Sequence, residues 1–488
     1  MKVLFAASEA LPYAKTGGLG EVAHALPLEL AKQKDMEVCV MIPYYKSIKD
    51  NKDLEIEFVT SFGVPLSWRT LHCGIFKAYH KKQKLTYYFI DNEAYFYRDG
   101  LYGYLDDSER FAYFSKAVLE SLQYIDFYPD VIHCNDWQTA LIPLYLKATY
   151  SHIPQYQPIR TVFSIHNIEY QGKIGHRFFE DVIGVSEEWH SVVTYDDCIN
   201  VMKSAIVLAD KITTVSETYS YEIRNAYYAH GLEKILQDNA YKISGIVNGI
   251  DTDYYNPNRD PFIHNNYRAG YVKQKLENKL WLQERLGLPV NPDIPVVAMV
   301  SRLVAHKGLE LIEGVAGELM NLDMQLVVLG TGDQHYEDMF RGMAYHHPHK
   351  MSANITFDPQ LANQIYAGAD MLLMPSKSEP CGLAQLIAMR YGTIPIVRET
   401  GGLFETVPAL NTETLEGRGF TFKVFNAHDM LNAVERSLEF YKDKPKLRKV
   451  VTSIMKYDCS WKQPVMKYLD LYNEIVGEDV RIDSKKGA

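Results

Sequence analysis

The 488 residues carry 51 Lys and Arg against 61 Asp and Glu, a formal net charge of -10, with 47% hydrophobic content. This acidic balance, spread without long single-sign blocks, excludes the basic footprint of a nucleic-acid or anionic-membrane binder, and no apolar run reaches the roughly 18 residues of a membrane span. The length favours two domains, and the strand-like start is unlike a charged-then-apolar leader, so a cytoplasmic protein is expected.

Taken in chain order, the first strand is MKVLFAAS (1–8), and the glycine-rich KTGGLGEV (15–22) leads from it into a helical AHALPLELAKQ (23–33). A strand, a glycine turn and a helix start bring main-chain N–H groups beside an anion, most often a phosphate; the plain alternative is a tight crossover. MEVCVMIP (36–43), VIHCND (131–136), TVFSIHN (161–167) and KITTVS (211–216) continue the first series of strands. The stretch Asn248 to Pro261, rich in Asn, Asp, Gly and Pro, reads as a junction, and a polar segment (266–288) leads from it to the second series. That series is PVVAMVSR (295–302), MQLVVLGTG (324–332), NITFDP (354–359), MLLMPSKSE (371–379) and TIPIVRET (393–400).

Continuous β-branched and apolar runs are what parallel strands buried on both faces require, so each series predicts an open, doubly wound α/β sheet. The expected domains are 1–250 and 262–457, followed by a helix over 458–477 with apolar residues at helical spacing. Six cysteines, Cys39, Cys73, Cys134, Cys198, Cys381 and Cys459, lie scattered with no CxxC pair and read as reduced thiols. The 35 tyrosines fill cores by default, but their amphipathic rings also suit sugar faces.

Ligands of doubly wound sheets bind outside the carboxyl ends of the strands, and here those ends are chemically loaded. Arg302 and Lys307 follow PVVAMV, SKSEPCGL (376–383) follows MLLMP, and Gly401 and Gly402 follow TIPIVRET. An Arg fork and a Lys point charge five residues apart can converge on one diphosphate. Glu379 could instead cap a helix N-terminus. Asp251-Thr252-Asp253 is a D-x-D pattern, but its turn-rich surroundings favour capping over metal binding, and His346, His347 and His349 read as an exposed loop.

KTGGL, HCNDWQT, SIHN, VNGID, SRLVAHKG, IYAGADMLLMPSKSEPCGL and YGTIPIVRETGGL, in this order from Lys2 to Tyr472, resemble the bacterial glycogen synthases and plant starch synthases. The resemblance implies a GT-B fold: two Rossmann-like domains facing a cleft, the donor held mainly by the second, the acceptor mainly by the first, and a C-terminal helix crossing back to the first. It implies transfer of glucose from ADP-glucose to the 4-hydroxyl of an α-1,4-glucan, with retention and with no metal or other cofactor.

Carried over by residue, Lys15 approaches the donor, and Gly17 and Gly18 admit the main chain close to it. Arg302 and Lys307 hold the departing diphosphate, Glu379 lies by the transferred glucose, and His166 lies beside the reacting sugar, its carbonyl facing the anomeric carbon. Asp136 and Trp137 belong to first-domain architecture near the site, and Phe357 stands where the family has an aromatic beside adenine, a place in the core being the equal alternative. Asn248, Cys381, Gly382, Leu383, Gly401 and Gly402 complete the implied substrate contacts. The chain departs from the family at Glu21, Lys377, Ser378 and Ala384, and Ile387 stands where related transferases have a second Glu.

Two other classes are weighed. A nicotinamide oxidoreductase would need G-x-G-x-x-G spacing, which KTGGLG lacks, and a silent glucan-binding protein would have little reason to keep Arg302, Lys307 and Glu379. Among enzymes, UDP-glucose remains the alternative donor, and a phosphorylase would need a lysine-bound pyridoxal phosphate.

Overall fold

The computed structural model describes residues 1–80 and 84–486. The chain divides into two units, the first made of residues 1–248 with the stretch from Trp461 onward, the second of Gly249–Ser460. The segment 249–261 therefore packs with the second unit, where Asp260 accepts hydrogen bonds from Asn363 Nδ2 (3.0 Å) and the Tyr391 hydroxyl (2.5 Å).

The first unit contains β1 (Lys2–Ala6), β2 (Glu37–Pro43), β3 (Glu57–Leu66), β4 (Arg69–His80), β5 (Leu85–Asp91), β6 (Val131–Asn135), β7 (Arg160–Ile165), β8 (Lys173–Ile174), β9 (Thr194–Tyr195), β10 (Cys198–Asn200), β11 (Lys211–Thr214) and β12 (Ile243–Gly245). Nine of them form one sheet in the order β12-β11-β7-β6-β1-β2-β5-β4-β3, and β8-β10-β9 form a small separate sheet. From β12 to β5 all pairs are parallel, and the strand order turns between β1 and β6. That turning point is where a doubly wound sheet opens a crevice at its carboxyl end.

The ribbon β3–β4 pairs antiparallel and adds to β5. These three strands lie outside the series the sequence predicts. The physical reason is that a ribbon with one solvated face alternates buried and exposed residues, whereas β1 and β6, covered on both faces, read as unbroken apolar runs.

In the second unit, β13 (Val296–Val300), β14 (Gln325–Leu329), β15 (Met351–Asn354), β16 (Met371–Met374), β17 (Ile394–Arg398) and β18 (Phe420–Phe422) form one parallel sheet ordered β15-β14-β13-β16-β17-β18. Its turning point falls between β13 and β16, the strands that precede Lys307 and Glu379. The predicted strand NITFDP is shifted: pairing stops at Leu329↔Asn354 because β14 ends there, and Ile355 to Phe357 leave the sheet before Asp358 caps the next helix.

The C-terminal helix Lys462–Lys486 belongs to the first unit. It buries Val465, Tyr468, Leu471, Tyr472 and Ile475, and Tyr472 OH lies 2.6 Å from His133 Nδ1 on β6. Lys211 and Glu474 add an ion pair at 2.6 Å. All six cysteines are free thiols, five of them buried. Among the described residues no helix is long and apolar enough to cross a membrane.

Candidate active site

Downstream of β1 the buried Glu9 organises the glycine turn. Its Oε2 accepts from the Thr16 N–H and hydroxyl, both at 2.7 Å, and its Oε1 accepts from the N–H of Gly20 (3.0 Å) and Gly17 (3.3 Å). The helix Gly18–Ala31 starts at Gly17 with no side-chain cap of its own, and Gly20 is its third residue, so Glu9 is the cap, delivered from a distance. The turn does face an anion, but the anion is this carboxylate, and these three N–H groups are already taken. Gly20 eases the close approach: a Cβ there would sit 3.2 Å from the Ala14 carbonyl oxygen, tighter than ordinary contact. Lys15 pairs with Glu21.

Across the turning point, Asp136 follows β6 with φ 57 and ψ -179, a backbone region nearly reserved for glycine and costing roughly 1–3 kcal/mol. Its Oδ1 accepts from the N–H of His166 (2.8 Å) and Asn167 (3.3 Å), bracing the end of β7 and its carbonyls. Burial pushes the Asp136 carboxyl up to about 7, against the pull of those two N–H groups and with the Glu9 charge adding to the rise.

His166 Nε2 lies 2.9 Å from Asn135 Oδ1, and the Asn135 amide donates to the carbonyls of Ala6 (3.0 Å) and His133 (3.1 Å). With Oδ1 thereby fixed as the acceptor, Nε2 carries the proton and Nδ1 is left with a lone pair. Burial lowers the His166 pKa to about 4, so the ring is neutral at pH 7. Beside these groups, Trp137, the 169–173 turn and His230 line a cavity of about 390 Å³.

In the second unit, three strand-end loops are locked back to back. Lys307 Nζ lies 2.8 and 2.7 Å from the two carboxylate oxygens of the buried Glu379, and the Ser376 hydroxyl donates to Oε2 at 2.8 Å. Burial alone would raise the Glu379 pKa, but the Lys307 ammonium, helped by Ser376 and His306, more than offsets it and holds the carboxyl below its ordinary value. The Lys377 N–H donates to the His306 carbonyl (2.9 Å), and Arg398 Nη1 donates to the Lys377 carbonyl (2.9 Å).

The glycine pair answers to packing. A Cβ on Gly401, at φ 45, would lie 2.1 Å from the Glu379 carbonyl oxygen, and one on Gly402 would lie 2.3 Å from that of Cys381. The Gly402 N–H also donates to the Glu379 carbonyl at 3.2 Å. Gly401 and Gly402 thus hold the main chain of the EPCGL segment in place.

The other predicted positions separate. Glu379 caps no helix, since the next one, Ala384–Arg390, begins five residues later at an N-cap, Leu383, that makes no side-chain bond. Arg302 is exposed on the loop after β13 and is not part of the Lys307–Glu379 pair. Phe357 is 67% exposed, which rules out a core role and leaves its ring free to stack. Cys381 and Asn248 are buried, and Gly382 adopts φ +73. Ile387 is buried in the second unit's core, so no acid could stand there unpaired. Asp251 Oδ1 accepts from the N–H of Asp253 and Tyr254, the turn chemistry its surroundings predict. Sequence reasoning missed Glu9, Asn135 and Ser376, none of which carries a local signal; Glu9 lies eight residues ahead of the helix N-cap it serves.

Two doubly wound sheets, parallel except for the β3–β4 ribbon and each with polar loops at the turning point of its strand order, make the two-domain α/β architecture of the GT-B glycosyltransferases, the class of the solved starch synthase that this chain matches. Residues 2–238 match the starch synthase catalytic domain, and residues 283–452 match the glycosyl transferases of group 1. The chain belongs to the family of starch and glycogen synthases. It is 47% identical to a glycogen synthase of Clostridium beijerinckii over 98% of this chain and 100% of that one. A glycogen synthase of Desulforamulus reducens is 48% identical over 98% of this chain and 99% of its own. The catalytic domain of starch synthase IV from Arabidopsis thaliana, solved with ADP and acarbose bound, matches with a TM-score of 0.90 at 33% identity, covering 98% of this chain and 99% of that one.

Proposed function

We propose that the protein is a glycogen synthase that moves glucose from ADP-glucose to the 4-hydroxyl at the non-reducing end of an α-1,4-glucan, with retention of configuration. The observation that carries this reading is the Lys307–Glu379 pair with Ser376, held at the turning point of the second sheet by loops that glycine alone lets approach. The ADP and acarbose bound to the Arabidopsis relative support an adenine nucleotide and a sugar oligomer as ligands.

In this reading Arg302 and Lys307 take the diphosphate, whose negative charge grows as the glycosidic bond breaks. Cations already in place stabilise that charge in the transition state with little reorganisation. Glu379, ionised because of Lys307, accepts hydrogen bonds from the glucose hydroxyls. Lys15 serves the donor side from the first unit. The His166 carbonyl, fixed by the Asp136 brace, offers negative dipole to the positive anomeric carbon, and the neutral ring offers Nδ1 as an acceptor. With the anomeric carbon flanked by the His166 carbonyl and the diphosphate, the acceptor 4-hydroxyl attacks from the face the diphosphate leaves and gives its proton to the departing diphosphate oxygen; the C1–O bond to ADP breaks, the C1–O bond to the glucan forms, and configuration is retained. Free thiols fit a reducing cytoplasm.

The test is glucose incorporation into glycogen from labelled ADP-glucose and UDP-glucose in parallel. ADP-glucose is expected to have the higher kcat/KM. Equal or better turnover of UDP-glucose overturns the donor, and no incorporation from either overturns the reaction.

A further inference from the structure

The ribbon β3–β4 stays paired to its tip, Leu66 opposite Arg69, leaving Ser67 and Trp68 as the turn. Its neighbour β5 ends at Asp91, opposite Gly74, so Arg69 lies five residues further along β4. At strand rise this carries the turn about 16 Å past the carboxyl end of β5, on the edge where the loops after β1, β6 and β7 begin. The ribbon's β4 is three strands from β1, a lateral offset of about 14 Å.

The turn is fastened on several sides. Ser67 Oγ donates to the Glu180 carbonyl (2.5 Å), Arg69 Nη1 donates to the Asp181 carbonyl (3.2 Å), and Arg69 Nη2 pairs with Glu109 (2.7 Å). Gly184, at φ +64, lies so close that a Cβ would be 2.5 Å from Ser67 Cα. Yet the Trp68 ring is 77% exposed, with the Arg69 guanidinium carbon 5.2 Å from its centroid. A large apolar ring left in water on an immobilised turn is a preorganised binding surface, because the ordering entropy of its support is already spent.

The geometry points to Trp68 as a docking platform for the acceptor glucan, set apart from the loops after β1, β6 and β7 of the same unit; this rests on the glucan-synthesising reading above. An indole is flat and apolar with one N–H edge, which suits a pyranose face ringed by hydroxyls. The Arg69 guanidinium, engaged by the Asp181 carbonyl and Glu109, holds its place beside the ring, and the exposed Glu180 and Asp181 supply carboxylate acceptors while repelling polyanions. A neutral polyol chain fits both the flat ring and the acceptors. A long chain whose growing end is served by the loops after β1, β6 and β7 can rest an earlier part of itself on Trp68, and a short acceptor cannot.

The experiment compares wild type, Trp68→Ala and Trp68→Phe in glycogen co-sedimentation and in initial rates with glycogen and with maltotriose. Trp68→Ala is expected to raise the glycogen KM and weaken co-sedimentation by about 3- to 10-fold, with the maltotriose KM, the donor KM and kcat unchanged. Trp68→Phe is expected to retain most of the binding. An unchanged glycogen KM overturns the platform, and so does a parallel loss on maltotriose, which marks the turn as merely structural. A wild type that transfers no glucose overturns the reaction instead, and co-sedimentation still separates Trp68→Ala from wild type if the platform is real.

Discussion

Two loops of this protein share one sequence grammar, a strand followed by glycines and a glutamate, and use it for opposite purposes. After β1, the Glu9 carboxylate is taken up by three main-chain N–H groups, with only the Thr16 hydroxyl added, so it fastens a helix start. After β16, the Glu379 carboxylate is met by an ammonium and a hydroxyl, both side-chain groups that can exchange it for a ligand. The difference teaches that a buried acid's role is read from its partners: main-chain donors make an anchor, while side-chain donors make a site whose contacts can be rearranged.

The largest effect that tests this contrast is on turnover. Glu379→Ala is expected to lower kcat by roughly 100-fold or more with a smaller change in donor affinity, because its contacts matter most in the transition state. Lys15→Ala should behave likewise, both variants keeping the wild-type circular dichroism. Near-normal kcat in either folded variant would remove that residue from the catalytic set.

Glu9→Ala should show the reverse balance. It strips the helix Gly18–Ala31 of its cap and leaves the buried Gly20 N–H, with the part-buried Thr16 and Gly17 N–H groups, without their acceptor, at a cost of about 1–3 kcal/mol, so thermal or urea unfolding should register it first. Unchanged stability in Glu9→Ala, with a Glu379-like loss of kcat, would collapse the distinction between anchor and site.

How far the sequence reveals this depends on distance along the chain. The doubly wound sheets were legible because strands buried on both faces are written as continuous apolar runs, and the strand-end rule pointed to Arg302, Lys307 and Glu379. The role of Gly401 and Gly402 was not, since the carbonyls they approach belong to residues 379 and 381 on another loop. Glu9 reads as an incidental acid until the fold folds the turn back upon it. The contact between His133 and Tyr472 spans 339 residues, and no local pattern announces it. The β3–β4 ribbon was missed because alternation is a weaker signal than an apolar run.

A smaller effect concerns pH, and it sharpens the picture of Asp136 and His166 as a braced pair. The Asp136 carboxyl, raised to about 7, binds its proton more tightly folded than unfolded, so its contribution to stability falls as pH rises from about 4 to 7. His166, lowered to about 4, and His133, lowered to about 3, bind protons less tightly folded, so their contribution rises with pH up to about 6.5. The two trends oppose each other across the same window. Asp136→Asn should therefore steepen the gain in stability between pH 4 and 6.5, measured by urea unfolding at stepped pH. A slope in that variant no steeper than the wild type's would mean Asp136 titrates in its ordinary range.

The smallest effect is expected at Phe357, where the contrast between buried and exposed groups reaches its limit. ADP-glucose and UDP-glucose differ only in the base, so discrimination rests on stacking area and a few edge contacts, worth about 1–3 kcal/mol or 10- to 200-fold. Phe357 is largely exposed and outside the core, so Phe357→Ala should leave the unfolding midpoint in place. In the proposed reading Arg302 and Lys307 hold the diphosphate and do not read the base, so kcat with saturating donor should stay within a few-fold of wild type. What should move is the ratio of kcat/KM for ADP-glucose over UDP-glucose, falling by about 10-fold as the adenine loses its platform. If the ratio holds while both donors weaken equally, Phe357 supports the loop after β15 and the base is recognised elsewhere.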